Sequence, residues 1–285
     1  MKANILFLTL ILLAGLTVLI KTLETAETCT VTYIANEGFL IESGKLKVMT
    51  DALFGDIKGI WCEKPDESVS EKIIKGLPPF DNINVMLVSH KHADHFKESM
   101  VIDFLKNNRN SLLVCPEQVN ELLKRNDDYA NLSGRIISII PENPFDSTIS
   151  INSITIRVIR FNHGSYFETD SVTGEKYDLH KDVENLGYII GMNGFKIFHS
   201  GDDSPSNVSQ YSDYEIADEK FDIVFLNRVF LGRDGQELIE KNIHTKNLIF
   251  MHVEPEIRDS YKSAIVNVPE MYIFSSSLEK RIISK

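Results

Sequence analysis

Four potential metal ligands fall within six residues of this chain: His90, His92, Asp94 and His95, in the stretch VSHKHADHF. Three of the eight histidines are in that window. A solvated loop with Asp94 as a helix cap would not need such a concentration. Imidazole and carboxylate are the side chains that hold zinc, with iron or manganese as alternatives of the same ligand type. His90 and His92, two apart in an extended loop, point to the same side and can grip one ion. Asp94 and His95, beyond the turn, can serve a neighbouring ion.

Three further residues of ligand type follow apolar, strand-like runs: His163 after ITIRVIRFN, Asp202 after KIFHSG, and His252 after LIFM. With His163 added, His90 and His92 form a three-histidine set. Asp94, His95 and His252 form a second set. Asp202 can lie between them and bind one ion with each carboxylate oxygen. Two cations about 3.5–4 Å apart can share a water and lower its pKa to about 7, which suits attack on an electrophilic carbonyl or phosphorus. Asp94 is then both a ligand and the candidate catalytic residue that orients the water or accepts its proton. Asp51 is expected to brace the ligand loops. His199 reads as a core or bracing histidine, Asp203 as the weaker competitor of Asp202, and His244 as a surface residue. His180 and Tyr166 default to a solvated loop.

These residues need elements that bring them to one edge. An apolar run from Asn84 to Val88 leads into the histidine loop, and a helical pattern, Phe96 to Leu105, leaves it. Strands are expected at CTVTYIA, GFLIES and LKVMTD, then a helix over Glu67–Lys75 ended by Gly76 and Pro78. SLLVC, PEQVNELLKR and RIISII alternate as strand, helix and strand. The second half is strand-rich, with a hairpin across Asn193-Gly194 and a helix over Gln236–Asn242. A polar stretch, 164–184, reads as a long loop or short hairpin overhanging the site. MYIF and a short helix are expected to finish the chain.

The set of motifs resembles the metallo-β-lactamase superfamily: Asp51 in VMTDALF, HKHADH as its HxHxDH signature, His163 in FNHG, Asp202 in HSGDD and His252 in FMHVEP, in the family's order. The resemblance implies an α/β fold, a four-layer αβ/βα sandwich with two divalent metal ions at one edge. The segments GFLIESGKLKVMTDALF and HSGD look most like the broad hydrolase branch that includes ascorbate-6-phosphate lactonase and N-acyl-phosphatidylethanolamine phospholipase D. His92 stands where flavodiiron members carry Glu, which points to hydrolysis. The interval between His163 and Asp202 has no room for the inserted domain of nucleic-acid-processing members. True β-lactamases carry Cys in place of Asp202. The implied reaction is water attack on an ester, lactone, amide or phosphodiester bond of a small-molecule or lipid-like substrate. The rivals are a mononuclear iron oxygenase acting on persulfides and a metal-binding protein without turnover.

Composition narrows the partners. Of 285 residues 25% are charged, and the net charge of −11 leaves no basic stripe for a phosphate backbone, so nucleic acid is not expected. Residues 1–26 differ from the rest. Lys2, an apolar run from Ile5 to Ile20, and Lys21 have the layout of a signal peptide or an N-terminal membrane anchor. That layout places residues 27–285 as one domain outside the cytoplasm, periplasmic or secreted. Three cysteines, Cys29, Cys62 and Cys115, allow at most one disulfide of unspecified pairing.

Overall fold

The structure is a computed structural model that describes residues 27–55, 57, 62–140 and 142–285. The segment 1–26, expected as a signal peptide or N-terminal membrane anchor, lies outside the described residues. The first half supplies β1 (Thr28–Ala35), β2 (Gly38–Ser43), β3 (Leu46–Thr50), β4 (Val85–Leu87), β5 (Leu112–Pro116) and β6 (Ile136–Ile139). The second supplies β7 (Asp146–Ile151), β8 (Ile154–Asn162), the small hairpin β9 (Phe167–Thr169) and β10 (Lys176–Asp178), then β11 (Glu184–Met192) and β12 (Phe195–His199). It continues through β13 (Lys220–Phe221), β14 (Ile223–Asn227), β15 (His244–Thr245), β16 (Leu248–Met251) and β17 (Met271–Tyr272), and ends with β18 (Lys280–Ser284).

Two seven-stranded sheets result, in the orders β18-β1-β2-β3-β4-β5-β6 and β17-β16-β14-β12-β11-β8-β7. Each is antiparallel where consecutive strands are joined by tight turns and parallel where helices intervene. Both faces of each sheet are covered, which explains the near-continuous apolar runs in the central strands. In β14, Ile223 and Phe225 face the opposite sheet while Val224 and Leu226 pack outward. In β2, Phe39 and Ile41 point inward and Leu40 outward, against helices Glu67–Lys75 and Glu98–Asn107. The architecture is the expected four-layer αβ/βα sandwich.

One expectation changes. The chain ends in an edge strand, not a helix: β18 pairs antiparallel with β1 and sends Ile283 into the central core. The three cysteines are buried free thiols, with no disulfide among them. Burial pushes the Cys29 thiol up to about 12, a value at which it stays protonated.

Strand direction decides where the chemistry can gather. β1, β3 and β4 all run the same way in one sheet, and β8, β12, β14 and β16 all run the same way in the other. The residues that follow them therefore emerge at shared edges. Cross-sheet bonds bring those edges together: Tyr188 Oη donates to Val88 O at 2.7 Å, and Leu186 N donates to Ser89 O at 2.9 Å.

Candidate metal centre

All seven ligand-type residues converge there. His90, His92, Asp94 and His95 come from the loop after β4, His163 follows β8, Asp202 follows β12, and His252 follows β16. Their donor atoms fall into two groups, each with all members within 4.8 Å of one another: His90, His92, His163 and Asp202, and Asp94, His95 and His252. Asp202 Oδ2 lies 3.2 Å from His163 Nε2, 3.5 Å from His95 Nε2, 3.6 Å from His90 Nε2 and 3.8 Å from His252 Nε2. Asp94 Oδ2 lies 3.0 Å from His252 Nε2 and 3.2 Å from His95 Nε2.

Asp202 meets the two groups through one oxygen, not through one oxygen each. Its Oδ1 accepts a hydrogen bond from Asn227 Nδ2 at 2.8 Å, so only Oδ2 faces the histidines. The turn that places Asp202 needs Gly201. Its φ is +59°, and an added Cβ would lie 2.4 Å from Asn185 Oδ1. His252 and Asp51 take positive φ of 57° and 35° with full side chains, a strain that the surrounding contacts hold in place.

The outer ring nitrogens are held by neighbours, which turns the inner ones toward the cluster. His163 Nδ1 donates to Gly164 O at 2.8 Å, and His90 Nδ1 lies 3.0 Å from Ser89 Oγ. His92 presents Nδ1 instead, 3.0 Å from His90 Nε2. Asp51 braces the loop: its Oδ1 accepts from Ser89 N at 2.7 Å, and its Oδ2 accepts from Ser89 Oγ at 2.5 Å and sits 3.1 Å from His95 Nδ1. Two buried nitrogens, His95 Nε2 and His163 Nε2, make no hydrogen bond among the described residues; each meets a carboxylate oxygen at 3.2 Å outside hydrogen-bonding geometry. A buried donor or acceptor left this way is unfavourable, and a cation between the rings would relieve it.

Electrostatics divide the two groups. Burial and neighbouring imidazoles hold His92 down to about 4, so it is neutral and free to ligate near pH 7. Burial works against a charged His95, yet Asp94 and Asp202 hold its imidazole well above the usual range. Asp94, despite burial, is held far below the usual carboxylate range by His95 and His252. Asp203 is separate: burial pushes it up to about 7, and it accepts hydrogen bonds from Tyr211 Oη and Asn207 Nδ2, both at 2.7 Å.

His199 is a brace, buried, with Nδ1 accepting from Gly201 N at 3.2 Å. His244 is exposed on β15. Several residues escape sequence reasoning. Asn36 donates to the main-chain oxygen of Asp94 at 3.1 Å, and Glu37 is fully buried beside His95 and Asn227. His180 is not a free surface group: its ring centroid lies 4.2 Å from that of His163, and its Nδ1 shares Gly164 O at 2.9 Å. Asn36, Glu37 and Asn227 share one available signal, a polar residue at the end of an apolar strand on the ligand edge. A cavity of about 840 Å³ opens above the cluster, walled by Tyr166, His180, Arg228 and Val229 among others.

Residues 47–246 match the family model described as the β-lactamase superfamily domain. Over 177 residues the chain is 27% identical to a UPF0173 metal-dependent hydrolase of Polynucleobacter asymbioticus, covering 60% of this chain and 58% of that protein. A second UPF0173 metal-dependent hydrolase, from Polaromonas, is 25% identical over 135 residues, covering 45% of this chain and 44% of the other. The matches thus span less than two thirds of either relative. Among solved structures, the metallo-β-lactamase fold protein YhfI from Bacillus subtilis superposes with a TM-score of 0.56 at 14% identity, over 90% of this chain and 99% of its own. An isothiocyanate hydrolase from Delia radicum gut bacteria gives 0.54 at 16% identity, over 90% and 100%. Matched along most of its length and folded the same way, the chain belongs to the metallo-β-lactamase superfamily.

Proposed function

We propose that this protein is a metal-dependent hydrolase with a two-metal centre, zinc first among the candidates. The observation that carries the reading is a cluster of seven donors in which His95 Nε2 and His163 Nε2 are buried and face carboxylate oxygens at 3.2 Å without forming a hydrogen bond. Donors about 2.1 Å from a shared ion lie roughly 3.4 Å apart, which the 3.2–3.8 Å spacings around Asp202 Oδ2 fit. The names of the two curated relatives support hydrolysis as the activity.

His90, His92 and His163 would hold one ion, Asp94, His95 and His252 the other, with Asp202 Oδ2 between them. The ions, when bound, acidify a water and polarise the substrate oxygen. The chain's own part is positional. Asn227 fixes which Asp202 oxygen faces inward, Asn36 and Asp51 hold the Asp94–His95 turn, and Asp94 is set to orient the water or take its proton. The bond attacked is an ester, lactone, amide or phosphodiester in a small-molecule or lipid-like substrate. Metal analysis of the purified full-length chain, run beside a screen of such substrates, tests this. About two metals per chain, with turnover abolished in Asp202→Ala, is the expected result. One iron per chain with sulfur-dependent oxygen uptake would replace it with the persulfide oxygenase reading.

A further inference from the structure

Among the described residues, the cavity above the cluster is lined by a single Lys or Arg, Arg228. It follows Asn227, whose carboxamide touches Asp202, so the guanidinium is rooted one residue from the centre of the donor cluster. Its donors are only partly used. Nη2 donates to Glu254 Oε1, Nε is buried without a partner, and Nη1 makes no hydrogen bond among the described residues. Glu254 Oε2 is likewise buried and makes no hydrogen bond among the described residues. The two groups thus meet at one point, without the two-point fork that guanidinium and carboxylate adopt where geometry allows it. The Arg228 side chain keeps 28% of its surface exposed, on the cavity wall.

A guanidinium steadied by one contact through Nη2, with Nη1 neither buried nor hydrogen-bonded among the described residues, can receive an oxyanion. We propose that Arg228 anchors the substrate, and that the substrate class carries a carboxylate or phosphate set apart from the bond that is cleaved. This rests on the hydrolase reading above. Arg228 would grip the anion while the scissile bond lies beside Asp202, and the stacked rings of Tyr166 and His180 also line the cavity. The competing role is structural: a tie between the turn after β14 and the turn after β16. The two roles diverge at Glu254. Removing its charge frees the guanidinium for a ligand but breaks a mere tie.

The test is calorimetric titration of the metal-loaded full-length protein with succinate and, separately, inorganic phosphate, which tells a carboxylate preference from a phosphate one. Arg228→Met should weaken the preferred anion about tenfold or more at equal metal content. Glu254→Gln should tighten it. Unchanged affinity in Arg228→Met, or no tightening in Glu254→Gln, overturns the assignment. If Arg228→Met fails to fold, Glu254→Gln and Arg228→Lys, which keeps the charge and loses the fork, still decide it. In turnover, the 4-nitrophenyl monoester of succinate should lose to 4-nitrophenyl butyrate when Arg228 is replaced, with the change in KM. An absence of ester turnover in the wild type, with the anion effects intact, would count against the hydrolase reading and leave the anchor standing.

Discussion

At the scale of single residues, Asp94 carries two jobs that can be separated. Its Oδ2 lies within 3.2 Å of both His95 Nε2 and His252 Nε2, and Asn36 Nδ2 holds its main-chain oxygen and approaches Oδ2 at 3.3 Å. Asparagine keeps the shape and one ligand oxygen but cannot take a proton. Asp94→Asn should therefore retain most of the bound metal while kcat falls by about 10²-fold or more, the usual worth of general acid–base assistance. Metal content and kcat measured on the same preparation check it, and equal losses would make Asp94 a structural ligand only. The seven ligands were legible because histidine and aspartate stand out, at fixed spacing or at strand ends. Asn36, Asn227 and Glu37 were not, because such residues read as ordinary turn chemistry until the fold shows which turns share an edge. His180 is hard to place from sequence for the same reason: nothing in a polar stretch of hairpin says that Gly164 O will hold it against His163.

At the scale of elements, one helix start clamps the two halves beside the site. In helix Glu117–Leu123, Gln118 N donates to Glu184 Oε2 and Gln118 Nε2 donates to Asp182 O, both at 2.7 Å, which ties down the segment that carries His180. Glu117 heads that helix. A hydrogen bond from Ser138, with Lys124 Nζ at 3.0 Å, lowers its carboxyl to about 2. A carboxylate held below its unfolded value of about 4.3 contributes stability above that pH and loses it as pH falls toward about 2. Glu117→Gln should thus be less stable than wild type at pH 7, by at most about 1 kcal/mol given the exposure of the Lys124 contact. The gap should narrow by about half at pH 3 and close near pH 2. Urea midpoints at these pH values measure it, and a gap that persists in acid would mean the loss is one of packing. The helices and central strands were readable from apolar periodicity and from Gly76 and Pro78 as stops. The C-terminal strand β18 was not, because LEKRIISK has mixed charge and no alternation. Its state comes from pairing with β1, a tertiary effect that local pattern does not carry.

At the scale of the whole molecule, the site sits on a seam. One sheet supplies the His90–His95 loop and Asp51, and the other supplies His163, Asp202 and His252. Each proposed ion draws ligands from both, so bound metal cross-links the halves of the sandwich. Without it, His95 Nε2 and His163 Nε2 stay buried beside carboxylate oxygens but without a hydrogen bond, each at a cost of up to about 1–3 kcal/mol. Several carboxylates, Glu37, Asp51, Asp94 and Asp202, also crowd one buried spot. Chelation should therefore lower the melting temperature by about 5 °C or more, and added zinc should restore it. Asp202→Ala, which removes the one oxygen common to both groups, should melt low and respond little to either treatment. The loss should also be local. Amide exchange on chelation should speed up at Ser89–Phe96 and around His252, while β13 and β15, a separate two-stranded sheet leading into the starts of β14 and β16, opposite the strand ends that carry Asn227 and His252, keep their rates. Uniform acceleration across both sheets would show that the halves are held by their central apolar core alone and that the seam adds nothing. Unequal acceleration would locate the cross-link where the seven side chains meet.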